Sequence, residues 1–362
     1  MAVLTHFSKP YLSLVETGRR QATPDIVERY EHALGIPIGT PADPVRRTHE
    51  WLLDNPPATG CLRAGRRIGA SLIRTLEARV IDLRHLDDTV GSRTLFPVIR
   101  AELDHAEHLA HTASYTDTSG KRLYTVIGEL AQLAGWVASD AGRYSDAPRL
   151  YLSGVTAAES AAGDRALGAQ LLSSLAYQIT NVGKREDALL IARSAVTGAP
   201  DASPLVRALL LERLAWAAAR LRDTDTTRRA LDAVNDAYDQ HADGIAEPEW
   251  VYWLNQTEID VMAARCLIEL GTPTAAEPLL TRALAAYNHD HAREVALYQT
   301  WLAEGHAKTG NLDAARAVLH RIDTTAIDAG STRLHRRITA VNRLINRRTQ
   351  KKPATSTKRP TE

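Results

Sequence analysis

Phenylalanine and methionine are nearly missing from this sequence, with two of each in 362 residues. A core of any size must therefore be built from Leu, Ala, Val and Ile. The alternating Val, Ile and aromatic pattern of half-buried strands is almost absent too, which excludes a sheet and leaves an all-α chain. The two cysteines, Cys61 and Cys266, lie too far apart to suggest a disulfide framework or a metal knuckle. Both are expected to fill helix interfaces as small apolar groups. A net charge of +1 gives no global attraction to nucleic acid, so any such attraction must be local. No run of 18 apolar residues occurs and Met1–Pro10 has no signal-peptide core, so no membrane partner and a cytoplasmic location are expected. A phosphate-binding glycine loop, a zinc helix and a nucleophile elbow are all lacking. The chain is therefore read as a non-enzyme with no catalytic residue, cofactor or metal. His105, His108 and His111 drift by about 120° around a helix, too far to converge on one ion, and read as solvated.

What is present is a register that recurs between residues 125 and 325. An apolar helix runs into a Gly or tight turn, an Ala follows five residues later, and an aromatic, Leu or Ala stands four further on. The turns are at Gly142, Gly183, Arg222, Gly271 and Gly310, and the markers at Ala147, Ala188, Thr227, Ala276 and Ala315. The third copy is worn, with Arg for Gly and Thr for Ala, and the interval after it is the longest. Seven residues before each turn stand Gly135, Ala176, Ala215, Ala264 and Ala303, all small. Helices approach to about 8–10 Å only where the crossing side chains are small. Pro148 and Pro278 are placed in the first turns of second helices, where a missing N–H is tolerated.

This register resembles the tetratricopeptide repeat, although the unit is about 40 residues long against the roughly 34 of that family. The resemblance implies paired helices stacked into an α-solenoid over residues 121–348, whose first helices line a groove. The groove positions placed from the turns are Trp136, Asp140, Tyr177, Asn181, Trp216, Arg220 and Arg265, with Gln132 beside them. Glu129, Gln170, Glu212 and Glu258 add hydrogen-bonding capacity. Aromatics are expected at one end and ions at the other, with Trp136 and Trp216 partly exposed on one concave surface. Such a groove suits a peptide or protein ligand.

Ser8-Lys9-Pro10-Tyr11-Leu12-Ser13-Leu14-Val15-Glu16-Thr17-Gly18 reads as a short helix with an N-cap and a Gly stop. Thr23-Pro24 opens a second helix with Ile26, Val27, Tyr30, Ala33 and Leu34 on one face. The stretch resembles the second half of an XRE-type helix-turn-helix. That resemblance implies a recognition helix with Leu12 and Val15 toward its own core, Lys9, Tyr11, Ser13 and Leu14 toward DNA, and Arg19 and Arg20 on the phosphates. Val3, Leu4 and Phe7 read as the tail of a preceding helix, most of which is missing from residues 1–39. Either the coding sequence starts upstream, or the half-domain is a remnant that has lost DNA binding.

Residues 40–60, interrupted by prolines, read as a linker with a short helix around Arg46–Asp54. Residues 61–120 read as two helices, roughly 64–87 and 92–113, leading into the solenoid. Leu83-Arg-His-Leu-Asp-Asp88, Ala131-Gln-Leu-Ala-Gly-Trp136, Arg213-Leu-Ala-Trp216 and Ala296-Leu-Tyr-Gln-Thr-Trp-Leu302 resemble a group of actinobacterial regulators that join an XRE-type domain to repeats. Leu334, Ile338, Val341, Leu344 and Ile345 predict a capping helix to about Arg348, and 349–362 is expected to be a disordered basic tail. The combined reading is a transcriptional regulator that binds DNA and either binds a peptide or protein ligand or forms a homodimer. The alternative is an interaction scaffold that has lost DNA binding.

Overall fold

The computed structural model describes residues 7, 9, 11, 12, 26, 29, 43–53, 67–242, 244–287, 292–322 and 331–351. The chain forms two compact units, Met1–Arg47 and Thr48–Glu362.

In the first unit, Lys9, Tyr11, Leu12, Ile26 and Arg29 are helical. Leu12 and Ile26 are buried, and Lys9 is exposed. Phe7 stands outside the helix, so it does not end a preceding one. Its ring instead stacks on Tyr11 at 5.5 Å, as a residue that pins the approach to a helix start would.

Helix α1 (Pro44–Leu53) falls within the stretch expected to be a linker. It is more than a connector, because Trp51 is buried among helices of the second unit. Gly168 and Gly198 make the room, since a Cβ on either would collide with the indole. The Arg165 guanidinium donates to the Trp51 carbonyl at 2.7 Å.

The second unit is an all-α solenoid. Helices α2 (Ala70–Thr89) and α3 (Ser92–Thr112) lead into five pairs. These are α4 (Asp117–Asp140) with α5 (Ala147–Ser160), α6 (Arg165–Val182) with α7 (Arg185–Gly198), and α8 (Pro204–Arg220) with α9 (Thr224–Tyr238). Then come α10 (Gln256–Leu270) with α11 (Pro273–Ala286) and α12 (Ala292–Thr309) with α13 (Leu312–His320). Helix α14 (Thr332–Lys351) ends the array. Consecutive helices pack on one another, and the first helices of successive pairs also touch. Among the described residues the only extended pairing is an isolated bridge between Arg67 and Ser114.

The five pairs fall where the register places them. Ala147, Ala188, Thr227, Ala276 and Ala315 are all fully buried. Ala176, Ala215, Ala264 and Ala303 are too, and a Cβ on Gly135 would sit 2.6 Å from the Tyr151 ring. Gly142, Gly271 and Gly310 take the left-handed conformation that ends a helix, and in the worn copy Arg222 adopts it as well, at φ 61°. Asp164, Asp223, Asn255 and Asn311 cap the helices that follow them.

Two expectations need correcting. Helix α11 starts at Pro273, so Pro278 lies in its interior, and one backbone hydrogen bond is lost there. Helix α14 continues three residues past Arg348, where the Thr349 hydroxyl donates to the Ile345 carbonyl and accepts from Arg316. Cys266 is a buried free thiol, as expected of a packing residue, and burial pushes its pKa up. Cys61 and residues 352–362 lie outside the described residues. His105, His108 and His111 are exposed, and no helix among the described residues is long and apolar enough to cross a membrane.

Candidate binding chamber

The sequence-predicted DNA-facing residues are only partly described. Lys9 is exposed and Tyr11 half-buried. Ser13, Leu14, Arg19 and Arg20 lie outside the described residues.

The eight predicted groove residues come together around two adjoining cavities of about 410 and 360 Å³. Seven of them line the first cavity, and Gln132 lines the second. The inner helices α4, α6, α8, α10 and α12 supply most of the walls. Helix α14 supplies the rest of the first cavity through Arg333, Arg336, Arg337, Ala340 and Leu344. It spans from the end of α4 to the middle of α12. At one end Ser331 and Arg333 reach Asp140 at 3.0 Å each, and Thr332 donates to the Ala141 carbonyl. At the other, Arg337 reaches Glu304 at 2.7 Å. Leu334, Val341 and Ile345 of the same helix are buried.

This placement changes the expected picture. Trp216 is not partly exposed; it is 1 % exposed. Trp301 meets it edge-on at 5.5 Å, Arg265 lies over its ring at 4.5 Å, and its indole N–H donates to Asn181. Trp136 is half-buried and stacks on Tyr177 at 5.7 Å. Ions and aromatics are not separated to opposite ends but interleaved. Arg213 lies 4.4 Å from the Tyr177 ring centre, Arg333 5.2 Å from that of Trp136, and Arg337 3.4 Å from that of Trp301.

Several predicted groove residues are committed to internal bonds. Asp140 accepts from Ser92 at 2.6 Å and from Ser331, and it pairs with Arg333. Burial disfavours its charge, yet Arg333, Arg293 and the two serines outweigh burial and hold its carboxyl below the usual range. Arg220 pairs with Glu269 at 2.7 Å, and Gln132 donates to Ser174. Glu129 takes Arg84, and Glu258 accepts from Tyr287 and Tyr298. Glu212 differs, because one of its carboxyl oxygens has no partner, and burial pushes its pKa up to about 8.

Arg213, Trp250, Trp253, Tyr298, Trp301 and the arginines of α14 are the wall residues that the register did not place. Trp250 and Trp253 come from the long connection between α9 and α10, which contains a short 3-10 turn at Glu249–Val251. Their signal was the long third interval of the register. Arg333 and Arg337 sit one turn apart beside the apolar positions of α14, which marks a face buried at its edge.

No known protein-family model matches this sequence, and no curated protein does either.

Proposed function

We propose that the chain is a non-enzymatic, cytoplasmic transcriptional regulator, with a DNA-reading helix in its first unit and a solenoid that receives a peptide or protein segment. The observation that carries this reading is the seat of α14. An amphipathic helix already lies across the inner helices, held by an arginine at each of two points, Asp140 and Glu304. A surface that accepts one helix of this pattern can accept another in exchange for it. Displacing α14 would free its exposed basic face, with Arg343, Arg347 and Arg348, and would unlock the first pair from the fifth. In a homodimer such a change would alter the spacing of the two recognition helices and so the affinity for paired half-sites. In the first unit, buried Leu12 and Ile26 beside exposed Lys9 fit the two-faced pattern that a recognition helix needs.

The test is a gel-shift titration on DNA from upstream of the chain's own coding sequence. It compares the full chain, a form extended upstream of Met1, a Lys9→Glu variant and a chain ending at residue 330. Binding that is lost in Lys9→Glu and altered by the truncation supports the reading. Absence of binding by both the full and the extended chain rejects DNA recognition and leaves an interaction scaffold.

A further inference from the structure

Arginines surround both cavities, and most of them have a carboxylate. Arg84 has Glu129, Arg293 has Asp87 and Glu294, Arg333 has Asp140, and Arg337 has Glu304. Two do not. Among the described residues Arg213 makes no ion pair or hydrogen bond, and Arg265 makes one hydrogen bond, to the Tyr177 hydroxyl at 2.9 Å. Both are buried, at 7 % and 6 % exposure, and the Nε of Arg265 has no partner. Both flank the ring of Tyr177 and both line the inner cavity.

The carboxylates within that cavity do not serve them. Glu258 is engaged by two tyrosine hydroxyls, and Glu212 retains its proton at neutral pH. Taking a cation out of water costs several kcal/mol, and stacking on aromatic faces returns about 2 kcal/mol or somewhat more when desolvated. Stacking also leaves most of the guanidinium N–H groups without an acceptor. The surroundings register the excess positive charge. Burial opposes ionisation of Tyr177, yet Arg265, Arg333 and Arg213 outweigh it and bring the hydroxyl down to about 7.

We propose that the inner cavity binds a small organic anion, with its charged head at Arg213 and Arg265 and a flat apolar body stacked among Tyr177, Trp136 and Trp253. The volume of about 360 Å³ lies in the range of small-molecule sites and is too small for a helix. The head is a carboxylate or a phosphate, since the guanidinium fork matches both. The seat of α14 belongs to the other cavity, so this site does not depend on DNA binding or on displacement of that helix.

The test uses the full chain and calorimetric titration with 2-naphthoate, 2-naphthyl phosphate and the uncharged 2-naphthamide. At least one anion should bind with submillimolar Kd and the amide at least about tenfold more weakly, and the preferred anion identifies the head group. Arg213→Met should reduce anion affinity by about tenfold or more and leave the Tm of the unliganded protein unchanged or raised, because it removes an uncompensated charge. Arg213→Lys, which keeps the charge but not the fork, should fall between. Failure of both anions to bind at millimolar concentration, equal binding of the amide, or unchanged affinity in Arg213→Met would each overturn the proposal. So would an Arg213→Met protein that is less stable or unfolded, since Arg213 would then be structural glue.

Discussion

The rim and the centre of the chamber use the same side chain in opposite ways. At the rim, Arg220, Arg293, Arg333 and Arg337 each meet a carboxylate at 2.7 to 3.7 Å and tie one helix to another. At the centre, Arg213 and Arg265 are more deeply buried and meet only aromatic rings and a phenol. An arginine that holds helices together is arranged like those of the rim, with its charge matched and its N–H groups received. An arginine kept for something that comes and goes is left unmatched, at a cost in stability. The rim therefore belongs to folding and the centre to binding, and mutations at the two should differ in sign.

The largest effect is expected at the rim. Asp140→Ala strips Arg333 of its carboxylate and removes the acceptor of Ser92 and Ser331, so the start of α14 loses its anchor. Breaking a buried pair from one side costs about 3–5 kcal/mol, and the 24 % exposure of the Arg333 side chain puts the loss near the lower end. Urea unfolding measures it. A loss below about 1 kcal/mol would mean that the rim pairs are decorative, and the contrast with the centre would disappear.

The next effect has the opposite sign. Glu212 is 1 % exposed, and burial pushes its pKa from the ordinary 4.5 up to about 8. Between those values the unfolded chain gives up a proton that the folded chain keeps, so this residue costs stability progressively as pH rises through the window. Glu212→Gln removes that cost. The variant should match the parent below pH 4.5 and be more stable by about 1–3 kcal/mol near pH 8, read by thermal unfolding at the two pH values. A variant that is less stable near pH 8 would show that Glu212 serves as the missing counter-ion of Arg213.

Much of this fold is legible in the sequence because its constraint is local and repeated. The Ala at each marker position is demanded by a helix crossing within its own pair, and the demand recurs five times. Even the worn copy can be read, since Arg222 occupies the backbone state of the glycine it replaces. The inward direction of Trp136, Tyr177 and Trp216 follows from the same register. The enclosure does not. The Ser331–Asp140 contact that closes the chamber joins residues 191 apart, and no periodicity reports a helix folding back over such a distance. Trp250 and Trp253 stand in a connection outside the repeat, so counting from the turns cannot reach them. Whether an arginine is paired depends on which carboxylates arrive from other helices, and for that reason Arg213 looks no different in the sequence from Arg220.

The finest test of the contrast is the ionisation of Tyr177. Burial alone would raise its pKa, and the three arginines around it, Arg265, Arg333 and Arg213, bring it to about 7 instead, well under the ordinary 10. The tyrosinate absorbance of the folded protein should therefore begin to rise near pH 7, and this early component should be missing in Tyr177→Phe. A folded-state pKa below the unfolded one adds stability as pH climbs from about 7 toward 10, and that gain is lost as pH falls through 7. Near pH 7 the Phe variant should lose about 1 kcal/mol, the hydrogen bond to Arg265, and the gap should widen on the alkaline side. An anion seated at Arg213 and Arg265 would take over the neutralising role and return the hydroxyl toward its ordinary range. Bound 2-naphthoate should accordingly shift the early absorbance component to higher pH, whereas 2-naphthamide should leave it in place. If no tyrosinate forms until near pH 10 in the free protein, the centre carries no surplus of positive charge, and its arginines differ from those of the rim only in geometry.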